Sequence, residues 1–223
     1  SVRSPGSAAH RLPVAGLKFS AKYWMADDRL EILRLAIDTG GPHVTASGTI
    51  EDATGSSVGA FDVALKDTPL KDIRKYWAPE WAPDVYNWWT ENVKSGLVPR
   101  LNMKVRLRGG AAGWALTSVV GDMEFQDTAL SYLPGMPDIT DMAGKSTFTH
   151  KRFDVFVSQG KSDGMAFSEG QLFITGLSTG QEQAEIQATV AGPLDKALAL
   201  IDHPPLGYAA MMAVDPKGTK GAA

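Results

Sequence analysis

The residues best placed to do chemistry are Asp38, Thr39 and Gly40, in "LAIDTGG" after an apolar run. Asp-Thr-Gly is how aspartic proteases present a carboxylate, but that reaction needs two carboxylates sharing one proton. The chain holds no second Asp-Thr/Ser-Gly, so Asp38 and Gly40 read as a hairpin turn. His10, His43, His150 and His203 are scattered, without the paired spacing of a metal motif. There is no cysteine, which removes disulfides, thiolate metal sites and thiol nucleophiles together. Nucleophile elbows and glycine-rich phosphate loops are missing too. An enzyme would need an unrecognised acid pair such as Asp27/Asp28 or Asp138/Asp141. The sequence therefore calls for no catalytic residue, metal or cofactor.

Composition narrows the partners. The formal charge of −3 and a pI near 5.8 argue against nucleic acid, which draws a basic face. No apolar run approaches the ~20 residues of a membrane helix. The Ser/Gly/Ala/Arg-rich start and the absent initiator methionine look like a processed or excised piece. We expect a leader without fixed structure over residues 1–11, a folded segment over 12–210 and a flexible tail over 211–223.

Any scaffold here is built mainly of strands. Leu17, Phe19, Ala21 and Tyr23 alternate with Lys18, Ser20 and Lys22, and Val44, Ala46, Gly48 and Ile50 with Thr45, Ser47 and Thr49. The same period of two runs through Phe61, Val63 and Leu65, then Leu101, Met103, Val105 and Leu107. It returns at Met123 and Phe125, at Phe153, Val155 and Val157, at Leu172 and Ile174, and at Ile186 and Val190. Such alternation puts one set of side chains on each face of a strand. About ten strands are expected, joined by turns at 38–41, 53–55, 108–110, 162–164 and 178–180. Short connections favour an antiparallel meander, either curled into an open groove or closed as a sandwich. "ALKDTPL" and "EFQDTAL" form an internal echo, each ending a strand in Asp-Thr-x-Leu.

A helical insertion is expected over about 68–96. Thr68 would cap a helix carrying Leu70, Ile73 and Trp77 inward. A second helix would open near Pro83, carry Val85, Trp88, Trp89 and Val93 inward, and stop at Gly96. A third would run from Leu194 to Ile201. Residues Tyr76, Trp77, Trp81, Trp88 and Trp89 crowd this insertion, as a clamp over one end of the sheet or as its rim.

The segment "YWAPEWAPDVYNWWTENVKSGLVPRLNMKVRL" resembles the central region of AsmA-like bacterial envelope proteins of the YhdP and TamB type. The Tyr-Trp-Pro start is matched by Tyr76, Trp77 and Pro79, with Ala78 inserted, and the exit by Gly96 and Val98. "MEFQDTALSYLPGMPDITDMAGKSTF" is similar to that family's strand and proline loop, through Tyr132, Pro134, Pro137 and Gly144. "ATVAGPLDKALALIDHPPLGYA" is similar to its closing strand and helix. The resemblance implies an open β-groove that moves phospholipid or another acyl-chain lipid through the periplasm of a Gram-negative bacterium. It also implies a longer, inner-membrane-anchored parent. The groove floor would then draw on Leu101, Met103, Val105, Leu107, Met123, Phe125, Phe153, Val155, Val157, Leu172, Ile174, Ile186 and Val190. The competing expectation is an envelope interaction module that docks a partner protein through its tryptophan helices.

Overall fold

The computed structural model describes residues 14–40, 42–73, 79, 83–110, 113–177, 179–204 and 207–208. Ten strands follow one another: β1 (Gly16–Trp24), β2 (Arg29–Asp38), β3 (His43–Glu51), β4 (Val58–Pro69), β5 (Val93–Gly110), β6 (Gly113–Leu130), β7 (Ile139–Thr149), β8 (Arg152–Ser162), β9 (Met165–Thr175) and β10 (Gln183–Ala191). All ten form one antiparallel sheet whose spatial order is the chain order. The sheet does not close into a barrel. The expectation of an open antiparallel sheet therefore holds, and the sandwich is ruled out because there is no second sheet among the described residues.

Turn chemistry explains the meander. The Asp38 carboxylate accepts from the Gly40 amide at 2.9 Å, fixing the β2–β3 hairpin. Asp163 and Gly164 both have positive φ (44° and 82°), the two-residue turn that suits the twist of the β8–β9 hairpin.

The repeated Asp-Thr pair has a structural meaning. Asp67 and Asp127 take φ of 49° and 50°, a region that Asp tolerates better than most residues. The following Thr68 and Thr128 are buried, and their hydroxyls donate to the carbonyls of Lys66 and Gln126 at 3.1 and 3.2 Å. Asp141 in β7 and Glu169 in β9 take the same conformation. In β4 the kink shifts the inward set from Leu65 to Thr68, so alternation changes parity while the buried side stays the same.

Among the described residues, three helices complete the fold. α1 (Leu70–Ile73) and α2 (Pro83–Asn92) lie between β4 and β5, and α3 (Leu194–Asp202) follows β10. Leu70 and Ile73 join a buried cluster with Leu65, Val98, Leu101, Met123, Phe125 and Met142. At about 1.5–3 kcal/mol per buried aliphatic side chain, this cluster is the anchor of the sheet's helical end.

Three details differ from expectation. Thr68 belongs to β4 and does not cap α1, because its hydroxyl is spent on Lys66. α2 ends at Asn92, and the chain enters β5 directly at Val93. Gly96 lies inside that strand at φ 141°, where a Cβ would stand 2.5 Å from Leu70 Cδ1 and 2.6 Å from Thr128 Oγ1. Glycine is there for close packing, not to stop a helix. Trp88 points outward at 44% exposure, while Trp89 packs on the core and donates its indole N–H to the Leu70 carbonyl at 3.3 Å. Trp89 thus packs against the core and Trp88, expected inward, does not; Tyr76, Trp77 and Trp81 lie outside the described residues.

Candidate functional site

Register brings the alternating apolar residues together. Following cross-strand partners from β1 to β10 gives Leu17, Ile37, Val44, Leu65, Leu101, Met123, Ser146, Val155, Leu172 and Ile186 in one row. The next row on the same face runs Phe19, Leu35, Ala46, Val63, Met103, Gly121, Phe148, Phe153, Ile174 and Ala184. Nine interstrand steps make each row about 43 Å long. Ser146 is the one polar member of either row. Its hydroxyl is buried and has no hydrogen-bond partner among the described residues.

The residues expected to line a groove share this face. Leu101, Met123, Val155, Leu172 and Ile186 stand in the first row, and Met103, Phe153 and Ile174 in the second. Val105 and Leu107 extend it toward the β5–β6 hairpin, and Phe125 and Val157 toward the helices. Val190 lies past the Glu169 kink, opposite Phe167.

Burial divides this face into zones. Leu65, Leu101, Val105, Met123 and Phe125 are buried, so they support the floor and offer no surface to a ligand. Val63, Met103, Phe153, Val155, Leu172 and Ile174 are half-buried. At the two edges the apolar side chains stand bare: Leu17 is 61%, Phe19 59% and Ile186 62% exposed. Glycines lower the floor where aromatic rings lie across it. A Cβ on Gly121 would stand 2.5 Å from Phe148 Cζ, and one on Gly144 2.7 Å from Phe125 Cζ.

The opposite face carries the charge. Asp62 pairs with Lys104 at 3.0 Å, and Arg100 with Asp122 at 2.5 Å and Glu124 at 3.2 Å. An open concavity of about 810 Å³ lies on this polar face, spanning β2 to β8. Sequence reading missed it, since its walls come from strands far apart in the chain.

Neither acid pair is assembled for proton sharing. Asp28 accepts from Tyr23 Oη and Thr54 Oγ1, each at 2.6 Å, and from the Thr54 amide at 3.0 Å. The Thr54 hydroxyl first, then Tyr23, hold its carboxyl below the usual range. It therefore staples two hairpin tips. Asp138 accepts from Lys94 and from Ser131 Oγ, which keeps its carboxyl low as well. Asp141 is bound separately by Lys161 at 3.0 Å. Among the described residues, no His/Asp/Glu group is placed to hold a metal ion, and no helix is long and apolar enough to cross a membrane.

Comparison with protein-family models, curated proteins and solved structures gives no match.

Proposed function

We propose that this chain is a non-enzymatic segment of a lipid conduit, whose apolar face shields acyl chains from water. The observation that carries the reading is the second apolar row, half-buried or exposed on all ten strands, with bare side chains beside it at both edges. A folded domain normally covers such a face, because exposed apolar patches are costly and are kept small. A two-tailed lipid carries about 30 methylenes, and leaving them in water costs on the order of 25 kcal/mol at about 0.8 kcal/mol each. A long greasy floor offsets that cost without gripping any one position, which lets cargo move on. The AsmA-like resemblance supplies the setting: an inner-membrane-anchored parent passing phospholipid through the periplasm toward the outer membrane. Native mass spectrometry of the chain, purified without detergent, tests this. Copurified or added phospholipid should appear as a discrete adduct. A lipid-free chain that also ignores a fluorescent fatty acid contradicts the proposal.

A second reading rests on Trp88. It is 44% exposed on a helix with no buried residue. This suits an envelope protein docking on α2. Trp88→Ala should then abolish partner capture and leave lipid adducts untouched.

A further inference from the structure

The sheet ends in two open edges. β1 pairs only with β2, and β10 only with β9, among the described residues. Seven of the nine residues of β1 and eight of the nine of β10 are exposed. The outer backbone groups of such a strand are a template for another strand, and folded chains usually blunt them with proline, a bulge or a covering segment. Neither strand contains proline. The register shift beside each edge puts the extra residue on the inner strand, Leu33 on β2 and one of Glu169 and Gly170 on β9, so both edge strands stay regular. After β10 the chain turns back toward the interior: Lys196 of α3 pairs with Asp163 in the β8–β9 hairpin at 3.2 Å. Charge is the one blunting device left, and it differs between the edges. β1 carries Lys18 and Lys22, whereas β10 carries Glu185.

These edges fit each other. With ten strands in antiparallel order, β1 and β10 run in opposite directions, so a second copy set beyond β10 with its faces the same way presents β1 antiparallel. Both strands have nine residues and match end to end, Gly16 opposite Ala191 and Trp24 opposite Gln183. In that register Leu17, Phe19, Ala21 and Tyr23 meet Val190, Ala188, Ile186 and Ala184 on the apolar face. Phe19 and Tyr23 thus each face an alanine. On the polar face Lys22 stands opposite Glu185, a favourable cross-strand pair. A slip of one residue would set apolar side chains against polar ones. Pairing β1 with β1 over the same nine residues would instead put Lys18 opposite Lys22 twice. We propose that the chain associates head to tail, β10 of one copy taking β1 of the next. Such a contact repeats without closing on itself as a dimer. Each added copy lengthens the apolar face by ten strand spacings, about 48 Å.

Sedimentation of the intact chain, purified without detergent, tests association, and cysteine pairing tests the register. The average mass should rise with concentration through dimer to longer species. Because the chain has no cysteine of its own, single variants report cleanly. Ser20→Cys mixed with Gln187→Cys in a glutathione redox buffer should give a disulfide between copies. Ser20→Cys mixed with Ala188→Cys, whose side chains fall on opposite faces, should not. Glu185→Lys should weaken association about threefold or more, and the double variant Lys22→Glu/Glu185→Lys should restore it. A chain that stays monomeric up to about 1 mM overturns the proposal. So does cross-linking as strong at Ala188→Cys as at Gln187→Cys, or Ser20→Cys linking mainly to itself. The contact lies along the edges and leaves the apolar face open, so its failure leaves the lipid reading standing.

Discussion

Ile186 offers the cleanest perturbation of the apolar face. It sits on the last strand, 62% exposed, at the end of the first apolar row. Full burial of such a side chain is worth about 1.5–3 kcal/mol, so its bare portion represents about 1–2 kcal/mol available to an acyl chain. At 1.4 kcal/mol per factor of ten, losing that contact weakens binding about five- to thirtyfold. Ile186→Glu goes further, because a carboxylate must also give up water beneath a hydrocarbon tail. The part of Ile186 already covered limits the folding cost to about 1 kcal/mol. Displacement of a dansyl-labelled fatty acid, with thermal melts alongside, measures both quantities. The control is Gln171→Glu on β9, an exposed position pointing to the polar face. The reasoning fails if Ile186→Glu binds like the parent chain, or if Gln171→Glu weakens binding equally.

Other consequences can be checked separately. Gly121→Ala should lower stability by about 1–3 kcal/mol in denaturant melts, because its Cβ would stand 2.7 Å from the Asn102 carbonyl oxygen. Adding Phe148→Ala should not restore it, since the backbone collision remains. Ser146→Ala should be neutral or stabilising by up to about 1 kcal/mol, as it removes a buried hydroxyl without a partner. The Asp28 staple should respond to pH at both ends. The Asp28 carboxyl lies below its ordinary 3.8, so its contribution is complete above that pH and is lost as acid protonates it. The Tyr23 hydroxyl, donating to Asp28, is raised above 10.0, so its share is lost only as pH climbs past that value. Protection of the Thr54 amide, its exchange rate taken relative to the intrinsic rate at each pH, should be steady at neutral pH and fall at both extremes, whereas Asp28→Asn should flatten the alkaline response.

Strands were legible wherever alternation was strict, as in Leu101 to Leu107, because period two is a local signal. β2 and β7 were harder. The register of β2 shifts between Ile32 and Leu35, and β7 places Gly144 and Ser146 where a large apolar residue would have marked the inner face. The Asp-Thr echo was visible as a repeat, but its role as a left-handed kink was not, since φ leaves no trace in residue spacing. Gly96 misled because helix stops and close strand packing both favour glycine. The partition of tryptophans could not be read either: Trp88 and Trp89 are neighbours, and only tertiary contact turns one toward Leu70. The concavity on the polar face depends on register across seven strands. No window of sequence contains it.

Lipid contact with one face of the sheet is tested most directly by site-specific photocrosslinking in cells. A benzophenone side chain would be placed in turn at Gln171, Leu172, Phe173 and Ile174 of β9, and adducts identified by mass spectrometry. Lipid adducts at 172 and 174, with none at 171 and 173, are the expected result. Adducts at all four positions, or at 171 and 173 alone, would contradict an apolar face that carries lipid.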